Sequence, residues 1–175
     1  MRKFGPVDQI GFLVEDLDAS IARWIGHSGV GPWTVFRNVA LDGFYRSVPT
    51  HVTMNVGLSY QDDMQIELIQ VTNEAPSPYR NEAGAPLLGL HHIARIVDDL
   101  DAAVATAIEG GMEIAFTAQN PATRVAYLNV PDEPNLLFEF ICGPDMRAMA
   151  TAGIAAARIW DGSDAVTVID LAARI

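Results

Sequence analysis

Four polar residues stand inside apolar, β-favouring runs, where polar side chains are costly. They are Gln9 in Gln9-Ile10-Gly11-Phe12-Leu13, Glu67 in Gln65-Ile66-Glu67-Leu68-Ile69, His92 in Leu90-His91-His92-Ile93-Ala94 and Glu139 in Leu137-Phe138-Glu139-Phe140-Ile141. A carboxylate in such a strand needs a cation or hydrogen-bond donors beside it. Two carboxylates, an imidazole and an amide oxygen together suit a divalent ion, Zn, Mn, Ni, Co or Mg, with water completing an open shell. The chemistry of such a site is polarisation of a carbonyl and stabilisation of the charge left when a neighbouring C–H proton departs. Glu139 and Glu67 are the candidate bases for that proton.

The four are related in pairs by an internal repeat. Gln9–Ile21 aligns with His92–Val104 at an offset of 92 − 9 = 83, with six of thirteen positions identical, and both copies carry Val-acid-Asp-Leu-Asp-Ala. Gln9 and His92 fall at equivalent places. Gln65–Ile69 aligns with Leu137–Ile141 at 139 − 67 = 72, a shorter offset because the loops of the first copy are longer, and this makes Glu67 equivalent to Glu139. Strand alternation puts Gln9, Gly11 and Leu13 on one face, Leu90, His92, Ala94 and Ile96 on the matching one, and sends His91 the other way. The small Gly11 and Ala94 leave room for a cavity floor.

The elements that must hold these residues follow from the same pattern. Each copy begins with a strand, meets an Asp-rich turn able to cap a helix, and continues into an amphipathic helix. Leu17, Ile21, Trp24 and Ile25 share a face in the first helix; Leu100, Val104 and Ile108 share one in the second, which stops at Gly110-Gly111. Strands are expected over Trp33–Val39, His51–Tyr60 and Met64–Val71, then Glu113–Thr117, Arg124–Asn129 and Leu136–Ile141, the last preceded by a turn at Pro131–Asn135. The reading is an α+β chain of two tandem βαβββ modules, residues 4–72 and 89–142, whose strands form a cupped mixed sheet. Residues 73–88 read as a surface linker. Residues 143–175 form a helix-strand tail with no counterpart in the first copy, all within a single domain.

Composition narrows the partners. Eleven basic against twenty-two acidic residues give a net charge of −11, which repels nucleic acid. No apolar run approaches the ~18 residues needed to span a bilayer, and the first residues lack the hydrophobic core of a secretory signal, so a cytoplasmic protein without membrane contact is expected. The single Cys142 cannot form an internal disulfide.

The paired modules, the Gly89-Leu90-His91-His92-Ile93-Ala94 start of the second and its Val97-Asp98-Asp99 resemble the vicinal-oxygen-chelate superfamily of glyoxalases, epimerases, bleomycin-resistance proteins and extradiol dioxygenases. The resemblance covers about residues 6–141 and is strongest to the glyoxalase-like subgroup, which Gly29-Val30-Gly31-Pro32-Trp33 and Ser77-Pro78-Tyr79-Arg80 also suggest. It implies a metal held by Gln9, Glu67, His92 and Glu139, a lyase or isomerase activity on a small carbonyl substrate, and a homodimer. It disfavours an iron dioxygenase, since neither module has His at both required positions. Leu13 and Val71 stand where glutathione-using members place Arg and Asn.

Trp33, Phe36, Tyr60 and Tyr127 are expected to line the cup and to suit an apolar or aromatic substrate. Arg80 and Arg124 are candidates for an anionic group. The alternatives in view are a non-catalytic, resistance-type binding protein of the same fold and a glutathione- or CoA-thioester-dependent enzyme.

Overall fold

A computed structural model of the chain describes residues 4–133 and 136–172. The elements run in order β1 (Gln9–Leu13), α1 (Leu17–Ser28), β2 (Trp33–Tyr45), β3 (Val48–Gln61), β4 (Met64–Val71), β5 (Gly89–Ile96), α2 (Leu100–Glu109), β6 (Glu113–Gln119), β7 (Arg124–Asn129), β8 (Leu137–Cys142), α3 (Met146–Ile159) and β9 (Val166–Asp170). Within the Pro131–Asn135 turn, Pro134 and Asn135 lie outside the described residues, as do Met1–Lys3 and Ala173–Ile175.

The expected caps form. Asp16 accepts from the Ala19 N–H at 2.9 Å and Asp99 from the Ala102 N–H at 3.0 Å, each satisfying a free amide of its helix. The first helix ends at Gly29 with φ 64, a left-handed conformation that suits glycine. Leu17 and Ile21 bury against the sheet as their spacing implies. In α2 the buried residues are Leu100 and Ala107, while Ile108 is 48% exposed. The inward stripe therefore turns towards Ala103 and Ala107, where small side chains let the helix sit close.

Among the described residues all nine strands belong to one sheet, ordered β3-β4-β1-β5-β8-β7-β6-β2-β9, and β3 also pairs with β2. That extra pairing joins the ends of the curve, so eight strands form a ring inside one chain. The device is a β2–β3 hairpin much longer than expected. It turns at Arg46 and Ser47, both at positive φ (48 and 66), and so carries β2 on to Tyr45. Its distal part, Asp42–Tyr45, pairs with Gln119–Phe116 of β6. Gly43 makes the contact feasible, since a Cβ there would overlap the Thr117 carbonyl.

Three apolar clusters build the protein. One fills the inside of the ring with Leu13, Leu41, Val52, Met54, Val56, Ile69, Phe116, Val125 and others. The second packs α1 against the outside, with Leu17, Ile21, Trp33, Ile66 and Leu68. The third does the same for α2, with Leu100, Ala126, Leu128 and Phe140. Two departures bear on the site. Ser77, Pro78 and Tyr79, in the segment read as a surface linker, are buried, and Tyr79 belongs to the inner cluster. The tail helix α3 lies along β3 and buries none of its residues. It is pinned by Arg147 to Asp8 at 2.5 Å and by Arg158 to Asp63 at 2.6 Å.

Candidate metal centre

Parallel pairing of β1 with β4, and of β5 with β8, brings the first and last strands of each repeat together. Gln9 lies opposite Gln65 and Gly11 opposite Glu67; His92 lies opposite Leu137 and Ala94 opposite Glu139. The antiparallel β1–β5 seam then sets Gly11 across from His92. The four residues singled out from the repeat thus meet inside the ring.

Nε2 of His92 is the centre of the arrangement. It lies 3.1 Å from Oε2 of Glu67, 3.0 Å from Oε2 of Glu139 and 3.3 Å from Oε1 of Gln9. Ligand atoms of Glu67, His92 and Glu139 all lie within 4.8 Å of one another. Gln9, His92 and Glu139 are buried, and the Glu67 side chain is 13% exposed. The Oε2 atoms of both glutamates are buried, and the polar contact described for each is Nε2 of His92. Leaving two such groups unpaired would cost several kcal/mol, on the order of 1–3 or more for each.

The neighbours fix how the Gln9 amide and the His92 ring are presented. The Gln9 amide N–H donates to Oε1 of Gln65 at 2.7 Å, and the Gln65 amide donates to the Tyr60 oxygen at 2.5 Å, so the Gln9 carbonyl oxygen is the atom left facing the centre. On the other side Nδ1 of His92 lies 3.0 Å from Nδ1 of His91, and Nε2 of His91 lies 2.9 Å from the Pro78 carbonyl. Tyr79 donates to the Tyr127 hydroxyl at 3.2 Å, and Tyr127 bonds the Glu139 carboxylate. Three oxygens and one nitrogen converge on a point that needs positive charge.

Without a metal a proton supplies it. Burial pulls His92 down, but the carboxylates of Glu139 and Glu67 outweigh burial and hold it at about 10. Burial pushes Glu139 up, with the charge of His92 opposing. Burial, and secondarily His92, lower His91 to about 4, so His91 is neutral. Burial also raises Tyr79 and Tyr127, which stay protonated as donors. The donor set and its burial fit a divalent cation bound by Gln9, Glu67, His92 and Glu139.

Other expected site residues divide. Tyr127 touches the cluster directly, its ring 5.2 Å from that of His92. Tyr60 reaches it through Gln65. Phe36 pairs with Val56, so it shares the inner face of the ring and is partly exposed. Trp33 does not line the interior: strand alternation sends it outward under α1, where its indole N–H donates to the Val30 carbonyl. Arg80 is spent on its own loop, donating to the carbonyls of Asn73 and Gly84. Arg124 pairs with Asp101 of α2 on the outer surface.

Sequence reading missed Gln65, Tyr79 and His91. Gln65 shares the face of Glu67, a signal that was present. His91 was expected to face away, yet the register shift between Gly11 and Phe12 in the β1–β5 pairing makes it a bulge residue, and it buries beside His92.

Thr34, Leu58, Tyr60, Gln65, Ile96 and Ile141 of the inner face are partly exposed, and Gly153 of α3 abuts the Tyr60 ring.

Comparison with known proteins gives a consistent picture. The profile of the Glyoxalase/Bleomycin resistance protein/Dioxygenase superfamily matches residues 8–127, a span that holds Gln9, Glu67 and His92 and stops short of Glu139. No curated protein matches the sequence. Among solved structures, the chain is similar to a methylmalonyl-CoA epimerase variant of Streptomyces coelicolor in complex with 2-nitronate-propionyl-CoA. The match has 21% identity over 81% of this chain and 96% of that one, with a TM-score of 0.52. It is likewise similar to methylmalonyl-CoA epimerase from Mycobacterium tuberculosis, with 20% identity over 83% and 93% and a TM-score of 0.54. At these identities the likeness is one of fold.

Proposed function

The chain belongs to the Glyoxalase/Bleomycin resistance protein/Dioxygenase superfamily, and from that premise we propose that it is a metal-dependent enzyme moving a proton at the carbon beside a carbonyl, as an isomerase, epimerase or lyase. The observation that carries the reading is the convergence of the Gln9 carbonyl oxygen, the Glu67 and Glu139 carboxylates and Nε2 of His92 on one buried point. A divalent ion held by these residues would polarise a substrate carbonyl and stabilise the negative charge left as the C–H proton departs.

The residues divide the remaining work by their surroundings. Glu139 is buried and held by Tyr127, so it stays in place as a ligand. Glu67 is the more exposed carboxylate, and its described polar contact is His92. It is the group free to swing to a substrate carbon, take the proton and return it to the same or the adjacent carbon. Phe36, Leu58 and Tyr60 offer an apolar wall with one hydroxyl, which suits a small apolar or aromatic carbonyl compound.

A CoA thioester, the substrate class of the epimerases similar in fold, is a narrower form of the same reading. Its carrier would require cations at the α3 end, and Arg147 and Arg158 there are each paired with an aspartate. All four proposed ligands come from one chain, so a homodimer, if formed, need not complete the centre. Among the described residues no helix is long and apolar enough to cross a membrane.

The test is proton exchange. Metal-loaded protein incubated in D2O with a panel of small ketones, 2-oxo acids and acyl-CoA thioesters should incorporate deuterium beside the carbonyl of at least one of them. Exchange should vanish on chelation and in Glu67→Gln. A panel compound bound tightly yet recovered without deuterium would favour the non-catalytic, resistance-type binding protein.

A further inference from the structure

The polarity of the hydrogen bonds through the His91-His92 pair is fixed from outside the site. The Pro78 carbonyl, 2.9 Å from Nε2 of His91, can only accept, so Nε2 of His91 carries the proton. His91 is buried with no carboxylate among its described contacts, which leaves its Nδ1 bare as an acceptor, and that atom faces Nδ1 of His92 at 3.0 Å. Nδ1 of His92 must therefore be the donor. Its remaining nitrogen, Nε2, is left to offer a lone pair to the point where Glu67, Glu139 and Gln9 converge.

Two further features make this a built arrangement. The β1–β5 register shift turns His91 inward next to His92, and both are buried, at 5% and 0% exposure. The His91 ring is packed by Tyr79 and Tyr127, with centroids 5.1 and 5.8 Å away. The inter-module segment thus reaches the centre twice, through the Pro78 carbonyl and through the Tyr79 ring.

We propose that His91 is a positioning residue that, anchored by the Pro78 carbonyl, orients His92 and selects Nε2 as its metal-binding nitrogen. The proposal rests on the metal reading above. Partners of this kind fix the tautomer of a ligating imidazole, and their removal costs about 10–100-fold in metal affinity.

The experiment combines zinc titration against a competing chelator with 15N NMR of the histidine rings. His91→Leu should keep the fold and lose about 10–100-fold in zinc affinity. His91→Asn, whose amide oxygen can take the place of Nδ1 as acceptor, should bind zinc close to wild type. In wild-type protein, with or without zinc, His91 should show as a neutral ring protonated at Nε2 alone. The proposal is overturned if folded His91→Leu binds zinc as tightly as wild type, if His91→Asn fails as badly as His91→Leu, or if the spectrum shows the proton on Nδ1. Should His91→Leu not fold, the spectrum and His91→Asn decide. Wild-type protein that takes up no zinc sinks the metal reading itself, and the His91 spectrum still reports which failure has occurred.

Discussion

Gly11 faces the His92 imidazole across the β1–β5 seam so closely that a methyl group on Gly11 would overlap the ring. The His92 ring, Cε1 foremost, occupies the space a side chain on Gly11 would need. Gly11→Ala should therefore push His92 off the centre. The expected cost is about 1–3 kcal/mol of stability from overpacking, seen in urea denaturation, and a larger proportional loss in metal affinity, seen by calorimetry. Gly26→Ala on the surface of α1, where a methyl meets nothing within 4 Å, is the control.

The two glutamates should separate under substitution. Both Glu67→Gln and Glu139→Gln remove a negative charge from the centre, so both weaken metal binding. At saturating metal, Glu139→Gln should recover exchange activity, whereas Glu67→Gln should remain about 10²–10⁴-fold slower because its base is gone. Equal recovery by both would remove Glu67 from the role of base.

Metal-free protein has a stability that depends on His92. Its folded pKa, raised to about 10 by Glu139 and Glu67 against the pull of burial, exceeds the ordinary imidazole value of 6.5. A raised value means the folded state holds the proton more tightly. The contribution is complete below about pH 6.5 and is lost as pH rises towards 10. Denaturation of the apo protein across that range should show the decline, and His92→Gln should flatten it. Metal affinity should rise over the same window, because the departing proton competes for Nε2.

Closure of the ring depends on Gly43 lying against the Thr117 carbonyl. Gly43→Val should separate β2 from β6 while leaving the far side of the sheet paired. Hydrogen exchange should then accelerate at Phe116–Gln119 and stay unchanged at Gln9–Leu13. Uniform acceleration would mean that the fold fails as a whole.

Much of the centre was legible because the repeat carries it. Gln9 with His92 and Glu67 with Glu139 could be paired by offset alone, and strand alternation pointed each pair to a common face. His91 was not legible, since its direction depends on a register shift between two distant strands rather than on its own neighbours. The length of β2 was hidden as well. Arg46 and Ser47 form the turn at positive φ without the Asn-Gly or Asp-Gly signature of such hairpins. Trp33 looked like a cup residue because strand alternation alone does not say which face a helix will cover. Arg80 and Arg124 were assigned by charge, and charge does not reveal that carbonyls or a nearby aspartate already satisfy them.

The central claim is that one divalent ion binds where Gln9, Glu67, His92 and Glu139 converge. The direct measurement is elemental analysis and calorimetric titration of purified, chelator-stripped protein with Zn, Mn, Ni, Co and Mg. The expected result is one ion per chain for at least one of these metals, lost in His92→Ala. Wild-type protein that binds none of them, or binds equally well in His92→Ala, contradicts the account.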